Sequence, residues 1–105
     1  MSEKRKPTYD LEAFKQAFPK QDGVRITTVA LNSAAALGLN RSGIGAIVKT
    51  MQRRHFYKSM TAYSDRRRWQ DVYHVPSKLG VLYVKFTNDV LAEFLLLSFK
   101  EKDDD

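Results

Sequence analysis

Cysteine is absent from this 105-residue chain, and that absence removes a disulfide framework, a thiolate nucleophile and any cysteine-ligated zinc. Such a chain suits a reducing cytoplasm. Histidine is almost absent. His55 and His74 are the only two, neither stands in an HExxH arrangement, and two are too few for a histidine-rich site. Neither a catalytic metal nor a small-molecule cofactor is expected. The glycines at 38, 43 and 45 lack a GK[ST] ending and follow a helical stretch rather than a strand, so a phosphate-cradling loop is excluded and nucleotide triphosphate hydrolysis with it. No apolar run approaches the ~20 residues that span a bilayer, and MSEKRKPTYD is too polar for a signal peptide. A soluble cytoplasmic protein without a membrane partner is expected.

Apolar residues make up 43% of the chain. That is enough to offset the entropy of ordering one small backbone, and the length is too short for two ordinary domains. One domain over residues 1–102 is expected, followed by the acidic tip Asp103, Asp104 and Asp105. The formal charge is +6, from 18 Lys and Arg against 12 Asp and Glu. Three of the acids sit in the tip, so the rest of the chain sets 18 cations against 9 acids, a charge of +9. Self-repulsion of that size on a small body is most commonly compensated by a polyanion such as nucleic acid. A generic basic surface is the plainer alternative.

The first half has helical period. Leu11, Phe14 and Phe18 share one helical face, Asp10 or Thr8 can cap it and Pro19 stops it, which predicts a helix near 10–18. Thr27 or Thr28 can cap VALNSAAAL, and Gly38 ends it, for a second helix near 28–37. Ser42 can cap GIGAIVKTMQ, where Ile44, Ile47, Val48 and Met51 make one stripe suited to packing on a sheet. HFYKSMTAYS fits both periods and stays open, leaning to helix. From Trp69 onward the period is two: WQDVYHV, GVLYVKF and EFLLLSFK alternate between turn-forming residues. Three antiparallel strands are the economical reading. The fold expected is α+β, with N-terminal helices packed on a C-terminal antiparallel β-sheet.

Alternation sorts the strand side chains. Leu82, Val84 and Phe86 share one face, and Val81, Tyr83 and Lys85 the other. In the last strand Leu95, Leu97 and Phe99 share one face, and Leu96, Ser98 and Lys100 the other. With the more apolar sets turned to the helices, Tyr83, Lys85, Ser98 and Lys100 stand together on a cationic, aromatic surface. Taken singly, each is more often just a solvated residue of a half-buried sheet. Together, rings that stack on bases and ammonium groups that meet phosphates suit single-stranded RNA. Arg66, Arg67 and Arg68, beside Trp69 and Gln70, repel one another unless a phosphate chain relieves them. An exposed basic loop without a partner explains them equally well, and Arg53 and Arg54 share that ambiguity. His55 and His74 are secondary acid–base candidates.

The segment FYKSMTAYSDRRRWQDVYHV resembles the MqsR family of bacterial toxins, in which FYKSMT-x-YSD is followed by WQDVY. The resemblance extends to EKRKP, GVRIT, AL and LGL in the first half, and to LYVK and SFKEK at the end, covering nearly all of the chain up to Lys102. It implies a RelE-like fold, sequence-selective cleavage of single-stranded mRNA at GCU-type sites, growth arrest, and an MqsA-like antitoxin that neutralises the toxin. Carried over where the motifs agree, the catalytic residues are Lys58, Gln70, Tyr83 and Lys100. Two of these, Tyr83 and Lys100, are also placed on one face by strand alternation. Arg66, Arg67, Arg68, Trp69, Lys85 and His74 are expected to contact RNA. The basic run fills a stretch usually less basic in the family, His74 stands where an Arg is common, and the chain between Lys85 and Lys100 is two residues longer.

In such ribonucleases the ribose 2′-hydroxyl attacks the adjacent phosphate, leaving a cyclic phosphate and a free 5′-hydroxyl. A catalyst that uses neither histidine must move protons on groups whose solution pKa values are ~10 for Tyr and ~10.4 for Lys. Clustered cations lower a lysine's pKa and stabilise charge developing on phosphate. Lys58 or Lys100 is expected to stabilise the phosphate, Tyr83 to transfer a proton or stack on a base, and Gln70 to orient the substrate. The rivals are a non-catalytic RNA-binding or transcription-regulating module, and a catalytically dead protein that only binds an antitoxin.

Overall fold

A computed structural model of the chain describes residues 2–103. Of the expected acidic tip, Asp104 and Asp105 lie outside the described residues. Among the described residues there are three helices, α1 (Leu11–Ala17), α2 (Thr28–Ala36) and α3 (Arg41–Thr50), with a 3-10 turn at Arg53–His55. Their starts are capped by side-chain oxygens that take up orphan amides. Asp10 accepts from Glu12 and Ala13 N–H, Thr27 from Ala30 N–H, and Asn40 from Gly43 N–H. The third cap is therefore Asn40 and not Ser42, because α3 starts at Arg41 and already contains Ser42. Gly38 adopts φ 81, in the left-handed region that closes α2.

Six strands form one sheet in the order β1-β3-β4-β5-β6-β2, where the expectation held three. They are β1 (Glu3–Lys4), β2 (Val24–Ile26), β3 (Phe56–Thr61), β4 (Trp69–Ser77), β5 (Gly80–Asn88) and β6 (Phe94–Glu101). Every neighbouring pair is antiparallel except β2 with β6. The class is α+β as expected, but β1 precedes the helices and β2 lies between α1 and α2, so helix and strand are not fully segregated along the chain. The two extra strands, of two and three residues, are too short to show a period. The open segment resolves against helix: FYKSMT is β3, held by pairing to β4 on one side and β1 on the other.

Helices and sheet enclose one core. Phe14 of α1 is fully buried and lies flat on Phe86 of β5, with ring centroids 3.9 Å apart, while Phe94 meets it edge-on at 5.5 Å. Ala30, Ala34, Ile44 and Val48 bring α2 and α3 onto the same cluster. Gly23, between α1 and β2, permits a close approach: a Cβ there would stand 1.9 Å from the Ala17 carbonyl oxygen. Its own carbonyl accepts from Glu93 and Phe94 N–H at the start of β6.

Strand faces follow the expected alternation in β5, where Leu82, Val84 and Phe86 are fully buried. In β6 the expectation is half wrong. Phe94, Leu96 and Phe99 are buried, not Leu95, Leu97 and Phe99. Lys85 pairs with Ser98 while the next residue, Phe86, pairs with Leu96, so Leu97 is an extra residue and the phase of the strand changes there. Ser98 and Lys100 stay on the open face, and Leu96 moves to the core.

Two stability outcomes follow from this core. Phe14→Ala should cost about 3–5 kcal/mol, read as a lower urea midpoint at unchanged slope. The Tyr73 hydroxyl is buried with no polar partner among the described residues, and burial pushes its pKa up to about 12. Tyr73→Phe deletes that unpaired group, so the midpoint should stay level or rise by roughly 1 kcal/mol equivalent. A clear loss of stability would show that the hydroxyl is satisfied.

Candidate functional site on the open sheet face

The face of the sheet turned away from the helices is organised in rows by strand register. One row runs His74, Tyr83, Lys100 across β4, β5 and β6. The adjacent row runs Lys58, Val72, Lys85, Ser98 across β3 to β6. The next places Glu3, Met60 and Gln70 side by side on β1, β3 and β4. Lys58, Tyr83 and Lys100 thus occupy two neighbouring rows, with Gln70 one row further along. Val72 is fully buried on this otherwise polar face, with Lys58 and Lys85 on either side of it in the register.

The three lysines are not equivalent. Lys58 Nζ lies 2.7 Å from Glu3 Oε1, and this carboxylate holds the Lys58 pKa above its ordinary value while Lys58 holds that of Glu3 below. Lys85 has no carboxylate partner among the described residues. Burial, then repulsion from Lys100 and Lys58, brings its pKa down. Lys100 Nζ stands 5.4 Å from the centre of the Tyr83 ring. Tyr83 is pushed up by burial, against an opposing pull from Lys58, so its phenol stays protonated at neutral pH. The face therefore carries a lysine with a raised pKa, a lysine with a lowered one and a phenol with a raised one close together.

His74 belongs to this face, and burial followed by Lys102 and Lys58 lowers its pKa, which favours the uncharged ring. His55 lies apart in the 3-10 turn, where its Nδ1 accepts from Gln52 N–H. Alternation turns Trp69 to the side opposite Gln70, where Lys4 Nζ sits 4.2 Å from its ring centre. Arg66, Arg67 and Arg68 lie in the β3–β4 loop at one end of the sheet. Within it, Arg67 faces Asp65, and Arg68 donates to the Asn88 carbonyl at 2.8 Å, tying this loop to the β5–β6 turn. That turn is anchored to β2 by the Arg25–Asp89 ion pair.

Two clefts, of about 610 and 720 Å³, surround Phe18 and Arg41 and include none of the four motif residues. An RNA strand needs an accessible charged surface rather than an enclosed cavity, so the open face outranks them. Among the described residues no three of His, Cys, Asp or Glu come together, and no helix is long and apolar enough to cross a membrane.

Sequence reasoning missed two residues here. Glu3 is the partner of Lys58, and its only signal was its place in the EKRKP segment. Tyr57 was invisible because a register shift between Phe56 and Lys58 makes it an extra residue of β3. Phe56 turns inward onto Tyr73, with centroids at 5.5 Å, while Tyr57 turns outward onto His74, at 4.2 Å.

The sequence model of the family described as "Motility quorum-sensing regulator, toxin of MqsA" matches residues 6–101. The Escherichia coli (strain K12) protein named "mRNA interferase toxin MqsR" is 41% identical over 100 residues, 95% of this chain and 99% of that protein. Matched across its helices and through all four long strands of the sheet, the chain belongs to the MqsR toxin family.

Proposed function

We propose that this protein is the toxin of a toxin–antitoxin pair, a RelE-like single-domain endoribonuclease that cleaves single-stranded mRNA on its open sheet face. The observation that carries the reading is the convergence of Lys58, Lys85 and Lys100 around Tyr83 on rigid strands. A preference for GCU-like sites, metal-independent cleavage, a cytoplasmic location, growth arrest and neutralisation by an MqsA-like antitoxin belong to the same reading. The name of the Escherichia coli relative supports the activity.

The chemistry follows from the charge states. The 2′-oxygen attacks phosphorus, its bond forms as the bond to the 5′-oxygen breaks, and the products are a cyclic phosphate and a 5′-hydroxyl. Lys58, kept charged by Glu3, and Lys100 stabilise the phosphoryl oxygens as charge grows there. Tyr83, protonated at neutral pH, gives its proton to the departing 5′-oxygen. Lys85, whose pKa is lowered by burial and by the neighbouring lysines, is the group assigned to take the 2′-hydroxyl proton. Gln70, one row along, orients the ribose-phosphate chain, and Arg66, Arg67 and Arg68 extend its track past the end of the sheet.

Purified protein mixed with a defined single-stranded RNA in excess chelator should produce fragments with 5′-hydroxyl ends. Intact RNA that is merely retarded on a gel would favour a binding module instead. Lys100→Ala and Tyr83→Phe should each slow cleavage by about 100-fold or more. Parent rates in both would sink the assigned roles.

The Glu3–Lys58 pair adds a pH outcome. Glu3 raises the pKa of Lys58, so the charged lysine persists to higher pH than it would alone. Glu3→Gln removes that support, and the alkaline fall in kcat should begin at a lower pH than in the parent. An unmoved alkaline limb would mean that the charge of Lys58 does not govern the rate.

A further inference from the structure

We infer that Tyr57 and His74 form a stacking site for one nucleobase of the RNA, next to the phosphate position marked by Lys58. This rests on the ribonuclease reading above and assigns a substrate contact to a residue that neither the motif nor strand alternation singles out. The two rings lie 4.2 Å apart and nearly parallel, at 22°. Tyr57 is 40% exposed. The Arg5 guanidinium carbon stands 5.7 Å from the Tyr57 ring centre, and Arg5 Nη1 donates to the Tyr57 carbonyl at 3.2 Å. Lys58 Nζ is 5.4 Å from the same ring. An aromatic face with two cations beside it matches the way unpaired bases are held, by stacking and by charge on the flanking phosphates.

Packing alone does not account for the arrangement. Phe56 already fills the core position opposite Tyr73. In a regular strand Tyr57 would face away from Lys58. The register shift interrupts the β3–β4 ladder and delivers the ring to the same face as the lysine. Bulges of this kind re-aim side chains beside functional sites. His74 backs the ring from β4 and is 6.1 Å from Tyr83, so the aromatic strip continues to the proposed proton donor. Its lowered pKa keeps it uncharged against Tyr57, which suits a stack already bordered by Arg5 and Lys58.

The test uses a short single-stranded RNA cut at one site, and versions in which each nucleotide flanking the cut in turn carries no base. In the parent, one of these abasic substrates should raise KM by roughly 5- to 100-fold, the range for losing one base–aromatic stack. Tyr57→Ala should raise KM for the intact substrate by a similar factor and leave it unchanged for that abasic substrate. Tyr57→Phe should restore the parent value. Equal weakening of intact and abasic substrates, or parent KM throughout with Tyr57→Ala, would overturn the stacking site while leaving the ribonuclease reading in place. Failure of the parent to cut any RNA would instead overturn that reading. Thermal melts of Tyr57→Ala matching the parent would assign the KM changes to binding rather than to unfolding.

Discussion

The phase of alternation along the strands is the constraint on which the rest of the molecule depends. A side chain in a strand has only two directions, so a one-residue change of register exchanges core for surface along everything beyond it. Two such changes are built into this sheet, at Tyr57 in β3 and at Leu97 in β6. The second lets Phe94 and Leu96 enter the core from one half of β6 while Ser98 and Lys100 stay outside in the other half. The first places Tyr57 and Lys58 side by side on one face. A sheet with uninterrupted alternation could bury the same amount of apolar surface, but it could not present this set of rings and cations together.

A second dependence runs through Asp71, which is fully buried in the strand that also carries Gln70 and His74. Its carboxylate accepts from Thr8 N–H and Tyr9 N–H, which is what makes a buried charge tolerable. Tyr9 adds a hydrogen bond from its hydroxyl to the Trp69 carbonyl and lays its ring near Phe86 and Phe94. These contacts fix the chain just before α1. From there the short strand β1 is led along β3, and Glu3 arrives at Lys58. The WQDVY motif therefore has two functions by parity: Gln70 looks out onto the open face, while Asp71 and Tyr73 hold the inside together.

Much of this was legible in the sequence where periodicity is long enough to read. The α-helices are found at 11–17, 28–36 and 41–50, close to their apolar stripes and capping residues, and β4, β5 and β6 lie where alternation and turn residues put them. Tyr83 and Lys100 were placed together by alternation alone, and they are direct cross-strand partners. What escaped has physical causes. The strands β1 and β2 are held by their neighbours and are too short for a pattern. In β3 Phe56 and Met60, with Tyr63 just beyond its end, stand at helical spacing, and only pairing on both sides settles the segment as strand. A bulge leaves no mark on composition, so the outward turn of Tyr57 and the inward turn of Leu96 were not readable from the residues themselves.

Placement also gives identical side chains different chemistry. Lys58 and Lys85 stand in the same row, separated by Val72. Lys58 meets a carboxylate from the neighbouring edge strand and is held in its charged form. Lys85 sits further inside the sheet, more deeply buried and between two other lysines, and is moved the other way. Solution pKa values near 10 are poorly suited to proton transfer at neutral pH, and a uniform patch of exposed lysines would bind phosphate without dividing acid from base. Strand order moves the two lysine pKa values in opposite directions. The edge of the sheet brings a counter-charge, the middle brings burial and repulsion, and a chain with two histidines and no cysteine can still hold neighbouring groups at separated proton affinities, the condition that general acid–base chemistry requires.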